Sequence, residues 1–244
     1  MKCVALIPAA GQGKRMGGDQ SKPYLLLEGK PILAHTLLEL ERCPLVDEVV
    51  LIVERGEIER ARASVVEAFK LQKVSAILAG GLQRQDSVWE GLKTVQDDCD
   101  LVMVHDGVRP FISAEMLARS IQGAVDCGAS IAAVPSKDTV KLVSAQNVVL
   151  TTPDRKSIFL VQTPQTFKRD ILLRAYRQAM EDGFYATDEA SLVERLGLPV
   201  KVVEGSYENI KITTPEDLVV GETILRRRSQ RMLEGSAKPV NRQP

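Results

Sequence analysis

Short apolar runs and helix-length amphipathic segments alternate along most of this chain. Val4–Ile7, Glu48–Val53, Val74–Leu78, Leu101–His105 and Ser130–Val134 are apolar runs of strand length. Between them, Pro31–Arg42, Glu57–Phe69, Arg84–Val95 and Ala114–Val125 repeat apolar residues at helical spacing. Nearly continuous apolar strands separated by helices predict an α/β fold, with a mainly parallel sheet covered on both faces. In such open sheets ligands gather beyond the carboxyl ends of the strands. Two polar, glycine-containing loops fall there: Pro8–Met16 behind the first strand and Asp106–Pro110 behind the fourth.

The rhythm breaks at Ser136. Lys137–Ser144 alternates polar and apolar, turns through Ala145-Gln146-Asn147 and continues as Val148–Thr152, with no helix between. That pattern predicts a β-hairpin arm over about residues 137–152. An isolated hairpin is marginal in water, so another surface has to cover it. Either the parent domain or a second copy of the chain could do so, and the interruption of the α/β wind favours the second copy. Beyond it, Phe159–Gln162 and Val200–Val203 read as strands, and Lys168–Met180, Asp188–Leu196 and Pro215–Arg228 as helices. Thr214-Pro215-Glu216-Asp217 has the chemistry of a helix start: a threonine cap, proline at the first position and acids in the first turn. We therefore expect one domain over residues 1–228 and a frayed, disordered tail over 229–244, with the Arg226–Arg228 run a solvated helix end. No internal repeat is present.

Composition narrows the function classes. The 32 basic residues equal the 32 acidic ones, so the net charge is zero and any anion site has to come from local clustering. Nucleic acid is disfavoured as a partner. Cys3, Cys43, Cys99 and Cys127 form no CxxC pair and have no nearby histidine, which argues against a disulfide framework or a thiolate metal site. With no secretory leader and no apolar run of membrane-crossing length, the expected setting is the cytoplasm, without a membrane partner.

The first loop carries the sharpest chemistry. Ala9-Ala10-Gly11-Gln12-Gly13 lets backbone N–H groups turn inward as a nest for phosphate oxygens, and Arg15 and Lys22 bring two permanent charges to its rim. Met16 stands where a dinucleotide fingerprint needs its third glycine, and no Gly-Lys-Ser/Thr follows, so neither that motif nor a Walker loop is present. Asp106 follows the fourth strand. A carboxylate beside a polyphosphate calls for an intervening cation such as Mg²⁺, or else Asp106 is a loop cap paired with Arg109; both readings are compatible. His105 lacks a metal-binding partner and reads as structural. Gly80–Val88 is a second glycine turn opening a helix, where Gly81 permits close approach to a flat base and Ser87 could bond its edge. Thr139, Arg155, Thr163 and Lys211 are polar residues that pattern alone does not assign. No Ser-His-Asp order or base-paired cysteine supports covalent catalysis.

Taken in order, these segments resemble the cytidylyltransferase family that joins CTP to 2-C-methyl-D-erythritol 4-phosphate in non-mevalonate isoprenoid synthesis. The resemblance is carried by Pro8–Met16, Ser21-Lys22-Pro23-Tyr24, Gly80–Val88, Val104–Pro110, Thr163-Pro164-Gln165-Thr166-Phe167, Thr187-Asp188-Glu189 and Asn209–Thr213, and it spans about Val4 to Leu225. It implies a Rossmann-like nucleotidyltransferase fold whose β-arm clasps a second subunit in a homodimer. It further implies that Ala10, Gly11, Gly13, Gly81, Ser87 and Asp106 bind the nucleotide, and that Arg15 and Lys22 stabilise the charge developing on the triphosphate. Asp106 would help hold Mg²⁺. Arg155 and Lys211 would position the polyol phosphate, with Asp106, Arg109, Thr139 and Thr163 beside it, and Thr139 and Arg155 would reach the neighbour's site. Leu82 departs from the family, which often has a polar residue there, and this bears on base preference.

The reaction implied is direct in-line attack of the acceptor phosphate on the α-phosphorus of CTP, with pyrophosphate leaving. Both reactants are anions, so the protein's contribution is positioning and charge neutralisation. The acceptor phosphate is already deprotonated near neutral pH, so a site without a histidine base suffices. The alternatives are a ribitol 5-phosphate cytidylyltransferase, which shares the loop logic and differs in the acceptor pocket, other nucleotidyltransferases sharing only the first loop, and a non-enzymatic nucleotide-binding regulator. A regulator could lose the acceptor cations, and Arg155 and Lys211 are both present.

Overall fold

The computed structural model describes residues 1–11 and 21–236; Gly13 and Arg15 of the first loop lie outside the described residues. Its strands are β1 (Cys3–Pro8), the short pair β2 (Leu26–Leu27) and β3 (Lys30–Pro31), β4 (Glu48–Val53), β5 (Val74–Ala79), β6 (Leu101–Val104), β7 (Ala129–Pro135), the arm pair β8 (Leu142–Val143) and β9 (Val149–Thr151), β10 (Phe159–Lys168) and β11 (Lys201–Glu204). The helices are α1 (Ile32–Arg42), α2 (Ile58–Ala61), α3 (Arg84–Leu92), α4 (Ala114–Cys127), α5 (Arg169–Glu181), α6 (Glu189–Arg195) and α7 (Pro215–Ser236). The main sheet runs β11-β7-β10-β6-β1-β4-β5. Every pairing in it is parallel except those of β10, which is antiparallel to both β6 and β7.

Strand alternation splits the core into two layers. Ala5, Ile7, Leu51 and Met103 face Leu33, Leu37, Leu117 and Ile121 of α1 and α4. Val4, Leu6, Ile52 and Val104 face Val88, Leu92, Leu172, Tyr176 and Leu192 of α3, α5 and α6. A smaller cluster of Leu27, Ile32, Phe111, Ile212 and Ile224 seats α7 against the body. The expected α/β architecture with a mainly parallel, doubly covered sheet is observed.

Four expectations change in detail. The Glu57–Phe69 helix is a short α2 followed by a wider π-type turn, Arg62–Glu67, in which Ser64 Oγ donates to the Arg60 carbonyl and competes with the helical ladder. The strand expected at Phe159–Gln162 continues to Lys168, because Pro164 falls in the register shift between Val161 and Gln165, where its missing N–H leaves no ladder bond unmade. The last helix runs past Arg228 to Ser236, eight residues into the expected tail. Glu208 accounts for part of this extension: its carboxylate oxygens lie 3.1 Å from Arg228 and 3.3 Å from Arg231, so Arg228 is a fastener rather than a solvated end. The arm is present, but its ladder is only two residues facing three. Leu142, Val143, Val148, Val149 and Leu150 are all at least half exposed among the described residues.

Candidate active site

A cleft of about 880 Å³ opens where β1, β4, β5 and β6 end. Ala9-Ala10-Gly11 lines one wall, Lys22-Pro23 and Glu54-Arg55 the rim, Gly80–Arg84 and Ser87 the opposite wall, and Asp106, Lys211 and Thr213 a third side. The glycine turn is built by close contact. A Cβ on Gly80 would stand 2.6 Å from Ala10 Cβ, and one on Gly81 would stand 2.4 Å from Asp86 Cβ. Ser87 Oγ accepts from Gly81 N–H at 3.1 Å and donates to the Gln83 carbonyl at 3.0 Å. Ser87 therefore lines the cleft as expected, while its hydroxyl fastens the turn. Leu82 lies on the same wall with its side chain fully exposed.

Asp106 is the centre of the third side. It is 6% exposed and faces three cations. Arg84 Nε donates to Oδ1 at 3.2 Å, while Lys211 Nζ at 2.9 Å and Arg109 Nε at 3.5 Å approach Oδ2. Burial by itself would raise the Asp106 carboxyl, but Arg84, Lys211 and Arg109 outweigh it and hold the group well below the usual carboxylate range. Burial likewise opposes the charge on Arg84, yet Glu189 and Asp106 more than compensate and its affinity for the proton rises.

The support beneath Asp106 is equally specific. Asp106 N–H donates to Thr163 Oγ1 at 3.0 Å, and that hydroxyl in turn lies 3.0 Å from His105 Nδ1. His105 Nε2 donates to the Arg109 carbonyl at 3.0 Å, which leaves Nδ1 to accept from Thr163. Complete burial pushes the His105 imidazole down to about 4, so it is neutral at pH 7, and its two hydrogen bonds give it the structural role expected of it. Asn209, fully buried, donates to the Thr163 carbonyl and offers its own backbone carbonyl to Arg109 Nη1, both at 2.8 Å. This ties the Asn209–Thr213 segment, and with it Lys211, to β10 and the Asp106 loop.

The fold thus brings Ala10, Gly11, Lys22, Gly81, Ser87, Asp106 and Lys211 to one cleft, with Arg109 and Thr163 immediately behind Asp106. It does not bring Thr139 and Arg155 there. Both are exposed near the base of the arm, where Arg155 Nη1 donates to the Lys137 carbonyl at 3.1 Å. Two contributors carried no role from sequence reasoning. Arg84, the first residue of α3, and Glu189, the first residue of α6, form a forked pair at 2.7 and 2.9 Å. Their signal was positional, since both open helices at the carboxyl edge of the sheet. In this arrangement Asp106 stands among cations, with Arg84 at one oxygen and Lys211 and Arg109 at the other. Among the described residues no group of three or more His, Cys, Asp or Glu could hold a metal ion.

The pattern of the IspD family, 2-C-methyl-D-erythritol 4-phosphate cytidylyltransferase, matches residues 3–227. The chain belongs to that family. A member from Geotalea uraniireducens is 52% identical over 228 residues, covering 93% of this chain and 97% of its own. A member from Syntrophus aciditrophicus is 48% identical over 231 residues, covering 95% and 99%. Among solved structures, the 4-diphosphocytidyl-2C-methyl-D-erythritol synthase of Anaerococcus prevotii superposes with a TM-score of 0.82 at 34% identity, covering 93% of this chain and 96% of that one. The cytidylyltransferase of Thermus thermophilus gives a TM-score of 0.76 at 33% identity, covering 93% and 100%. Membership in this cytidylyltransferase family agrees with the expected Rossmann-like nucleotidyltransferase fold.

Proposed function

We propose that this chain transfers CMP from CTP to 2-C-methyl-D-erythritol 4-phosphate, giving 4-diphosphocytidyl-2-C-methyl-D-erythritol and pyrophosphate in isoprenoid precursor synthesis. Family membership supports the substrates, and the observation that carries the chemistry is the cleft itself, which gathers Lys22, Arg55, Arg84 and Lys211 around backbone held close by Gly80 and Gly81. Two polyanions approaching in a low-dielectric cleft repel by several kcal/mol, on the order of 4 for unit charges at 4 Å, unless cations stand between them. In our reading Ala10, Gly11 and Gly13 bind the triphosphate, and Arg15 and Lys22 stabilise the charge that builds on the leaving pyrophosphate. The cytosine lies on the Gly80–Ser87 wall. An oxygen of the acceptor phosphate forms the new bond to the α-phosphorus as the α–β bridging bond breaks, and the electron pair leaves with pyrophosphate. Lys211 and Arg109 hold the acceptor phosphate, and Asp106 fixes both cations.

A divalent cation such as Mg²⁺ would neutralise triphosphate charge when bound. In our reading triphosphate oxygens and water would hold it, with Asp106 turned mainly to Arg84, Lys211 and Arg109. Thr139 and Arg155 serve the cleft of a second copy, and the apolar arm supplies the contact between copies. The four cysteines are unpaired, and no helix among the described residues is long and apolar enough to cross a membrane; we place the enzyme in the cytoplasm. The test is pyrophosphate release from CTP and Mg²⁺ with 2-C-methyl-D-erythritol 4-phosphate or ribitol 5-phosphate as acceptor. Release that depends on the methylerythritol phosphate is expected. Release only with ribitol phosphate overturns the acceptor, and release with neither overturns the activity.

A further inference from the structure

Glu189 is 1% exposed and lies 105 residues from Arg84 along the chain, yet its two oxygens grip both terminal nitrogens of that guanidinium. Its position is itself fixed. Tyr176 O–H donates to Glu189 Oε1 at 3.1 Å, and the start of α6 is bound to β10 through Gln165, which donates to Asp188 and accepts from Ala190 N–H. With both terminal nitrogens gripped by Glu189, Arg84 turns its Nε to Asp106 Oδ1. The other Asp106 oxygen then faces Lys211 at 2.9 Å. We propose that Glu189 is a positioning residue for the acceptor phosphate: through Arg84 it sets the orientation of Asp106, and through Asp106 the location of the Lys211 ammonium.

A forked guanidinium–carboxylate pair fixes direction as well as distance, which a single contact cannot do. Glu189 also cancels one of the three positive charges around Asp106. Without it, Arg84 would lose the grip that fixes its direction, and Asp106 the partner that aims it. The effect belongs on the acceptor side, because Arg84 reaches Lys211 only through Asp106. This inference rests on the reading that Lys211 holds the acceptor phosphate.

The test is steady-state pyrophosphate release by Glu189→Gln, which keeps shape and removes charge, alongside Lys211→Ala and thermal denaturation of each. For Glu189→Gln we expect the KM for methylerythritol phosphate to rise roughly tenfold or more, the size of a lost charge-assisted hydrogen bond, with the KM for CTP changing less than about twofold. Unchanged KM values, or both rising together as the melting temperature falls, would reduce Glu189 to a fold-stabilising residue and overturn the proposal. If Glu189→Gln does not fold, Tyr176→Phe removes one hydrogen bond and keeps the charge. A selective rise of about threefold in the acceptor KM is then expected, and no change overturns the inference. Failure of the underlying reading is distinguishable: it shows as wild-type enzyme inactive with methylerythritol phosphate, or as Lys211→Ala with an unaltered acceptor KM.

Discussion

The Asp106 cluster and the β8–β9 arm are joined by one strand, yet they finish their chemistry differently. Around Asp106 the carboxylate faces three cations, and Thr163, His105 and Asn209 hydrogen-bond to one another and to the loop beneath it. On the arm, Leu142 is 53% and Leu150 67% exposed, and β8 and β9 pair with each other as a separate two-stranded sheet. A charge buried without partners costs far more than an apolar side chain left in water, so a chain has to complete its ionic core alone. Apolar surface is what it can leave for another molecule to cover. The contrast explains why Lys211 is set within one chain while Thr139 and Arg155 stand away from its cleft.

The cleft side breaks hardest at Lys22. Lys22→Ala is expected to lower kcat roughly 10²-fold or more while weakening CTP binding less, since the cation acts on charge that develops only in the transition state. A normal kcat with a raised KM would place Lys22 in ground-state binding alone. Next in size is a proton effect beneath Asp106. His105 is held down to about 4 in the fold against an ordinary value near 6.5, so the unfolded chain takes up the extra proton between those values. Stability from this group is therefore complete above about pH 6.5 and falls as pH drops toward 4. Denaturant unfolding at pH 7 and pH 5 should differ by about 2 kcal/mol on this account, a difference that His105→Gln should shrink. Asp106 acts in the same direction but only below its ordinary value near 4, because its carboxyl is lowered.

The arm side is sharpened by mixing. Arg155→Ala should raise the acceptor KM about tenfold and leave CTP binding intact. When its subunits are exchanged with those of Lys22→Ala and assayed at acceptor well below the wild-type KM, mixed dimers regain one complete site, about a quarter of wild-type activity at random assortment. No recovery on mixing would return Arg155 to its own chain. The smallest effect expected is on assembly: Leu150→Asp should weaken self-association roughly fivefold by sedimentation, and an unchanged constant would leave the arm without that contact.

Local pattern carried much of this. The parallel strands, the loops at their carboxyl ends and the segments holding Lys22, Asp106 and Lys211 were legible because each depends on neighbours along the chain. The Arg84–Glu189 fork was not, since it joins residues 105 apart and neither helix start announces the other. The tenth strand was read only to Gln162, and the register shift around Pro164 shows how the sheet continues past that proline. The extra turns of α7 depend in part on Glu208, a residue of another segment. Asp106 was read both as a Mg²⁺ ligand and as a loop cap paired with Arg109; the Arg109 contact is local in sequence, while those with Arg84 and Lys211 join distant segments and were not legible.

That tenth strand has a further consequence. It begins at Phe159, beyond the arm and the Arg155–Ser157 turn, and four residues later its Thr163 hydroxyl lies under Asp106. Extended chain spans about 13 Å over that distance. Seating of the arm and the pitch of the catalytic floor are therefore set by the same piece of backbone. A mutation that shifts the arm's docking angle should be felt as altered chemistry before it is felt as lost assembly.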